Sequence, residues 1–129
     1  MIQRFIELGE GYSDIYELIE TAKSNHHRVS NLLALHTTVK DKPLTSLVVA
    51  MSPTNTGNFQ ALYICREGIP NPHITQNKRY DLFKELSTYL NKDIIEMDVK
   101  PSTIFKEKEL YFHYLIGILR LNHLIPPLQ

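Results

Sequence analysis

The chain has 129 residues, with 14 basic and 14 acidic side chains that cancel to a formal net charge of zero. Folding at this length can bury well over half of the unfolded surface without disulfides or metals, so we expect one domain over residues 1–129. The balanced charge disfavours nucleic acid and anionic membranes as partners. The only cysteine, Cys65, cannot form an internal disulfide, which favours a soluble protein in a reducing, cytoplasmic compartment.

The hydrophobic period alternates along the chain between two residues, which is typical of strands, and 3.6 residues, which is typical of helices. Turn signals lie at Gly9–Gly11 and Lys40–Pro43, Asp14 and Glu17 resemble a helix-capping pair, and the prolines and glycine of 66–77 indicate an irregular segment. In chain order, the pattern predicts a strand over 2–8, a helix over 14–25, strands over 32–39, 44–51 and 59–65, a helix over 82–90, a strand over 94–99 and a helix from 101 that ends before 126.

This element order, β-α-β-β-β-α-β-α, predicts a single α/β domain with a mixed five-stranded sheet and three helices. The run Leu47–Ala50 is continuously apolar, so its strand should be central and covered on both faces. Read from the first helix, the order also resembles a restriction-endonuclease-like core. Asp41 could supply one metal-binding acid, but the strand over 44–51 carries no charge and the nearest glutamate is Glu67. A degenerate domain of this type is therefore only a remote alternative.

The six histidines are scattered along the sequence, and we expect no metal centre and no cofactor. His26 and His27 end the first predicted helix, where positive charge complements the helix dipole. His36, His113 and His123 have no partners at metal-ligand spacing, and a lone histidine is usually structural.

The segment from Arg66 to Arg79 is the candidate site for a small anionic metabolite, as a binding site or as the site of an enzyme. Loops that follow strand carboxyl ends bind ligands in open α/β sheets, and a helix amino terminus can hold an anion. The candidate ligand-binding residues are Arg66, Glu67, His73, Lys78 and Arg79. Cys65 with His73 as its base could form a nucleophilic pair, but a cysteine that ends an apolar strand more often behaves as a small buried hydrophobe.

The segment Leu110–Leu121 is apolar around nearly its whole circumference. If Tyr111, Leu115 and Ile118 face the sheet, then a second face points outward, where another molecule could cover it. The candidate interface residues are Phe112, Ile116, Gly117 and Leu119. They favour a homodimer, or binding of a protein partner, through the last helix. The alternative is intramolecular, with the tail from Ile125 or the first strand with Phe5 covering this face.

Several segments resemble an uncharacterised family of small bacterial proteins: 1–20, 63–72, 100–103, 116–120 and 126–129. The resemblance spans nearly the whole chain and implies no catalytic residues. Some members of the family carry a methylthioribose kinase label, but the glycine-rich loop, catalytic loop and metal-binding acids of a two-lobed kinase are absent from this sequence. The leading hypothesis is therefore a non-enzymatic domain that acts through self-association or a protein partner.

Overall fold

The computed structural model describes residues 2–8, 14–53 and 58–127. The side chain of Asp14 and the turn at 9–11 lie outside this part of the chain, and with them the predicted capping pair. The strands are β1 (Ile2–Glu7), β2 (Val29–Val39), β3 (Lys42–Met51), β4 (Phe59–Pro70) and β5 (Ile94–Asp98). The α-helices are α1 (Asp14–Ser24), α2 (Lys78–Leu90) and α3 (Lys108–Leu121), and short 3₁₀ turns lie at His26–Arg28 and Ser102–Ile104. None of the helices in the described ranges is long and apolar enough to cross a bilayer.

The five strands form one mixed sheet in the order β1-β4-β3-β2-β5. Strands β2, β3 and β4 pair antiparallel in the centre, and the two edge strands pair parallel, β1 with β4 and β5 with β2. The predicted fold class and element order are confirmed. Because β3 alone runs in the opposite direction, the other four strands all end at the same edge of the sheet, which we call the carboxyl edge.

The core has two layers because alternate residues of each strand point to opposite faces of the sheet. Helices α1 and α2 cover the face that carries Leu32, Leu47 and Val49. Helix α3 covers the other face, which carries Leu33, Val48 and Leu62. The apolar run of β3 is buried on both sides, as its sequence predicts.

The turn between β2 and β3 is tighter than the sequence predicts. Lys40 and Asp41 both have positive φ, 49° and 67°, and Pro43 already lies in β3 opposite Thr38. Two central residues with positive φ are the geometry of the two-residue hairpin turn that matches the twist of antiparallel strands.

The prediction of an irregular segment from residue 66 is wrong, because β4 continues to Pro70. A bulge makes this possible: the pairing with β3 passes from Leu47–Cys65 to Thr45–Ile69, so that Ser46 lies opposite the three residues between them. Glu67 takes a left-handed φ of 50°, and its amide donates to the Ser46 hydroxyl at 2.7 Å. A bulge re-aims side chains in this way.

The last helix begins later than predicted. Ser102–Ile104 forms a 3₁₀ turn, Phe105 is extended, and α3 starts at Lys108. The Ser102 amide and hydroxyl both donate to Glu67, at 2.9 and 2.7 Å, which holds the turn against the bulge of β4. These contacts are long-range, so the local sequence does not reveal them.

The expectation that Phe112, Ile116 and Leu119 point away from the sheet is wrong. Their exposed fractions are 7%, 6% and 1%, because α3 packs against residues of several strands on its face of the sheet. Phe112 stacks on Phe5 of β1 with 5.2 Å between ring centroids, and Ile125 is also buried in this layer. The intramolecular alternative is therefore confirmed.

The first strand and the tail after α3 are also joined by polar contacts. Gln3 donates from Nε2 to the carbonyl oxygen of Pro126 at 2.8 Å and accepts from Arg120 Nε at 2.7 Å. What α3 leaves uncovered is a narrower stripe with Leu110, Gly117 and Leu121. Self-association stays a prediction, but the residues that suggested it, Phe112, Ile116 and Leu119, are buried within the chain itself.

We expect Phe112→Ala to lower the free energy of unfolding by about 3–5 kcal/mol, because it removes a buried aromatic side chain and leaves a cavity. Leu110→Ala, on the exposed side of the same helix, should change it by less than about 0.5 kcal/mol. Urea denaturation followed by circular dichroism measures both. Equal effects of the two variants would contradict this assignment of the faces of α3.

Candidate functional site

Three side chains of types that can ligate a metal ion, from three separate parts of the chain, meet at the carboxyl edge, on the face covered by α2. They are His36 of β2, Glu96 of β5 and His73 of the segment between β4 and α2. His36 Nε2 lies 2.8 Å from Glu96 Oε1, and His73 Nε2 lies 2.5 Å from the same oxygen. The ligand atoms all lie within 4.8 Å of one another. We call these residues the His-Glu-His cluster.

The strands place two members of the cluster directly. His36 pairs with Asp98 across the parallel β2–β5 ladder, so Glu96, two residues before Asp98, points to the same face of the sheet one step away. His73 reaches them from the segment that follows β4, where its amide donates to Asn71 Oδ1 at 2.9 Å. Its ring lies edge-on to the His36 ring, with 5.5 Å between centroids.

His36 is the rigid member of the cluster. It is 8% exposed, and its Nδ1 lies 2.7 Å from the hydroxyl of Thr45, which is fully buried in β3. This contact fixes the plane of the imidazole and directs Nε2 toward Glu96. A histidine held through one ring nitrogen so that the other faces a site is the usual arrangement around protein metal ions.

Glu96 is more exposed and carries the negative charge of the cluster. Partial burial alone would raise its pKa, but the hydrogen bonds from His73 and His36 outweigh burial and hold the pKa of the carboxyl group below its ordinary value. The cluster therefore combines one carboxylate and two imidazoles at a solvent-accessible edge.

The other face of the same edge carries a second polar network, which centres on Arg66 and Glu67. Arg66 donates from Nε to Glu7 Oε1 at 2.8 Å and from Nη1 to the Ser102 hydroxyl at 3.2 Å. Lys108 Nζ lies 3.0 Å from the second carboxylate oxygen of Glu7. These contacts tie β1, β4, the 3₁₀ turn and α3 together, and a structural role accounts for all of them.

The five residues predicted to bind an anion do not converge on one cleft. Arg66 and Glu67 belong to the network on the α3 face, whereas His73 belongs to the cluster on the α2 face. Arg79 donates to the carbonyl oxygen of Gly68 at 3.0 Å, and Lys78 is exposed at the start of α2.

The amino terminus of α2 is capped by its own chain. Asn77 accepts from the Tyr80 amide at 2.8 Å, which occupies one of the N–H groups that an anion would need. The geometry at this helix end therefore gives no support to the predicted anion site.

The sequence pattern does not reveal this cluster. The prediction that His36 has no partner at metal-ligand spacing is wrong, because its ring contacts Thr45 and Glu96. Within the described ranges, His36, His73 and Glu96 are the only group of three that could hold a metal ion, and neither Asp41 nor Glu67 belongs to it. The sequence offers one signal: His36 and Glu96 are titratable residues within predicted strands.

Cys65 is 5% exposed and packs in the core beneath α1 and α2. The interpretation of Cys65 as a small buried hydrophobe fits this position. His73, the base suggested for a nucleophilic pair, instead contacts Glu96.

Comparison with known proteins gives a family and no activity. A family profile described as a domain of unknown function, DUF7147, matches residues 1–125. The chain belongs to this family. The predicted resemblance to an uncharacterised family is thus confirmed. No curated protein and no solved structure matches the chain significantly, so any function must be argued from the residues of this DUF7147 protein.

The stability of the fold depends on pH through the carboxyl group of Glu7. Burial would raise its pKa, but hydrogen bonds and the charges of Arg66 and Lys108 hold it below the ordinary value of a glutamate. A carboxyl group whose pKa is lower in the folded state stabilises the fold above its unfolded pKa, and this stability is lost as pH falls through the folded value. Glu7→Gln should therefore cost about 1 kcal/mol or less at pH 7, since Arg66 and Lys108 are partly exposed.

Urea denaturation at a series of pH values measures this difference, with the exposed Glu85→Gln as the control. The gap between wild type and Glu7→Gln should narrow as pH falls below about 4. A gap that stays constant across this range would show that the charge of Glu7 contributes nothing.

Proposed function

We propose that this domain binds a divalent transition-metal ion, best suited to Zn²⁺, through His36, His73 and Glu96. The observation that carries the proposal is the convergence of two imidazoles and one carboxylate, with all ligand atoms within 4.8 Å. Two histidines and a glutamate are a ligand set of catalytic zinc sites, in which the protein supplies three ligands and leaves one position open to water or substrate.

The separations of the ligand atoms support this reading. Tetrahedral zinc with bonds of roughly 2.0–2.1 Å places its ligand atoms about 3.3 Å apart. The two imidazole-to-carboxylate distances are 2.8 and 2.5 Å, because hydrogen bonds join these groups directly. A metal ion would replace the shared protons, and the atoms would separate by less than about 1 Å.

The three ligands differ in how freely they can move apart to admit a metal ion. His36 is buried and anchored by Thr45, whereas the side chains of His73 and Glu96 are 63% and 38% exposed and can adjust. Once a metal ion displaces the Nε2 proton of His36, Nδ1 can donate to the Thr45 hydroxyl while the lone pair of Nε2 binds the ion. The exposed side of the cluster leaves room for a further ligand.

The bound ion would polarise a water molecule or a coordinated substrate oxygen. The residues around it determine which step is possible: His36 fixes the position of the ion, Glu96 lowers the net charge of the site, and His73 closes it from the segment before α2. A hydrolytic or ligand-sensing role is the chemistry that this arrangement supports.

Isothermal titration with Zn²⁺ at neutral pH tests the proposal. Wild type should bind one ion per chain, whereas His73→Ala and Glu96→Gln should each weaken binding by more than about 100-fold, since they remove a direct ligand. His113→Ala removes an exposed histidine on α3 and should bind like wild type. Absence of zinc binding by wild type, or equal loss in the His113 control, would refute the site.

Thr45→Val tests the anchoring of His36 separately. The substitution keeps the side-chain shape and removes the hydroxyl that orients the ring, so zinc affinity should fall by about 10–100-fold while one ion still binds. Titration gives the affinity, and circular dichroism verifies that the variant folds. Unchanged affinity would show that Thr45 has no part in metal binding.

A further inference from the structure

A cleft of about 440 Å³ opens beside the His-Glu-His cluster, at the end of the β2–β5 ladder. His36 forms part of its wall, so a molecule in the cleft lies next to one of the three proposed metal ligands. The wall also includes Asp98 of β5, Asn71 and Ile74 of the segment between β4 and α2, and Pro101. The chemistry of these side chains indicates which molecule can reach the ion.

Asp98 is the acidic residue of this cleft. It pairs with His36 across the parallel ladder, so the two side chains point to the same face of the sheet from strands about 5 Å apart. It does not belong to the group whose ligand atoms lie within 4.8 Å of one another, and therefore stands beside the metal ligands rather than among them. Within the described ranges, Asp98 is exposed and takes part in no ion pair and no side-chain hydrogen bond.

The lysine that follows Asp98 in the sequence is directed elsewhere. Lys100 places its Nζ 5.9 Å from the centroid of the Tyr114 ring, on the face of the sheet that α3 covers. The carboxylate of Asp98 is thus available to a cationic group of a bound molecule, which it attracts, whereas it repels anions. An ammonium group can also donate hydrogen bonds to it.

Two further side chains add to this chemistry. Asn71 Oδ1 already accepts from the His73 amide at 2.9 Å, so its Nδ2 group is the part that can donate to an oxygen atom. Ile74 is 68% exposed and supplies an apolar wall. The molecule that fits combines an ammonium group, a carbonyl oxygen and an aliphatic side chain.

We infer that this cleft binds a small α-amino carbonyl compound with an aliphatic side chain, an inference that rests on the proposed metal site. The ammonium group lies at Asp98, the carbonyl oxygen at the ion beside His36, and the side chain against Ile74. In such a compound the amine and the carbonyl group are on adjacent carbon atoms. This spacing suits a carboxylate that is the cross-strand neighbour of a metal ligand.

Isothermal titration of the zinc-loaded full chain with L-leucinamide tests the inference. L-leucinamide should bind at least about fivefold more tightly than 4-methylpentanamide, which has the same carbon chain and amide but no amine, since one hydrogen bond to a charged group is lost. Asp98→Asn should reduce this preference to less than about twofold, because the charge that attracts the amine is gone. The metal-free chain should bind neither compound measurably.

Asp93→Asn, at an exposed aspartate before the opposite end of β5, is the matched control and should keep the wild-type preference. Both variants should still bind one zinc ion. Zinc binding by wild type without L-leucinamide binding, or with an unchanged preference in Asp98→Asn, would overturn this inference and leave the metal proposal intact. Equal binding of L-leucinamide by the metal-free chain would also overturn it. Absence of zinc binding by wild type would reject both proposals.

Discussion

The central strand β3 is the element on which the rest of this molecule depends. Its apolar run is buried on both faces, so helices must cover the sheet from both sides: α1 and α2 on one, α3 on the other. At the carboxyl edge the same strand becomes polar without becoming exposed. Thr45 and Ser46 both have exposed fractions of 0%, and they point to opposite faces of the sheet.

Each of these two hydroxyls anchors one polar cluster. Thr45 holds His36 and through it the His-Glu-His cluster, whereas Ser46 accepts from the Glu67 amide at the bulge of β4. The bulge in turn positions Glu67 and Arg66 against Ser102, which fixes the turn that precedes α3. The buried end of one strand therefore organises both faces of the edge at which four strands terminate. Buried polar groups require partners, and here the partners build the sites.

The polar groups on the two faces of the carboxyl edge are arranged differently. On the α3 face, Arg66, Glu67, Ser102 and Glu7 satisfy one another, and their network joins three elements of the fold. On the α2 face, two imidazoles share one carboxylate at an exposed position, with open space beside them. Mutual satisfaction is typical of a structural network, while convergent donors at the border of a cleft are typical of a binding site. This contrast is why the functional proposals concern the α2 face.

The sequence by itself determined the element types and their order. Period-two and period-3.6 patterns reflect burial along each element, and the apolar run at Leu47–Ala50 already placed β3 in the centre. The sequence pattern predicted the wrong environment where a residue's neighbours come from distant parts of the chain. It predicted that Phe112 and Ile116 face outward, but Phe5 and Ile125, from the two ends of the sequence, belong to the same buried layer.

The candidate site was decided only by the tertiary structure. His36 and Glu96 are 60 residues apart and His73 and Glu96 are 23 apart, so no motif spacing connects them. They meet because β5 inserts beside β2, parallel and in a register that aligns His36 with Asp98. Strand order and register arise from the packing of the whole sheet, and a one-dimensional pattern of polarity carries neither.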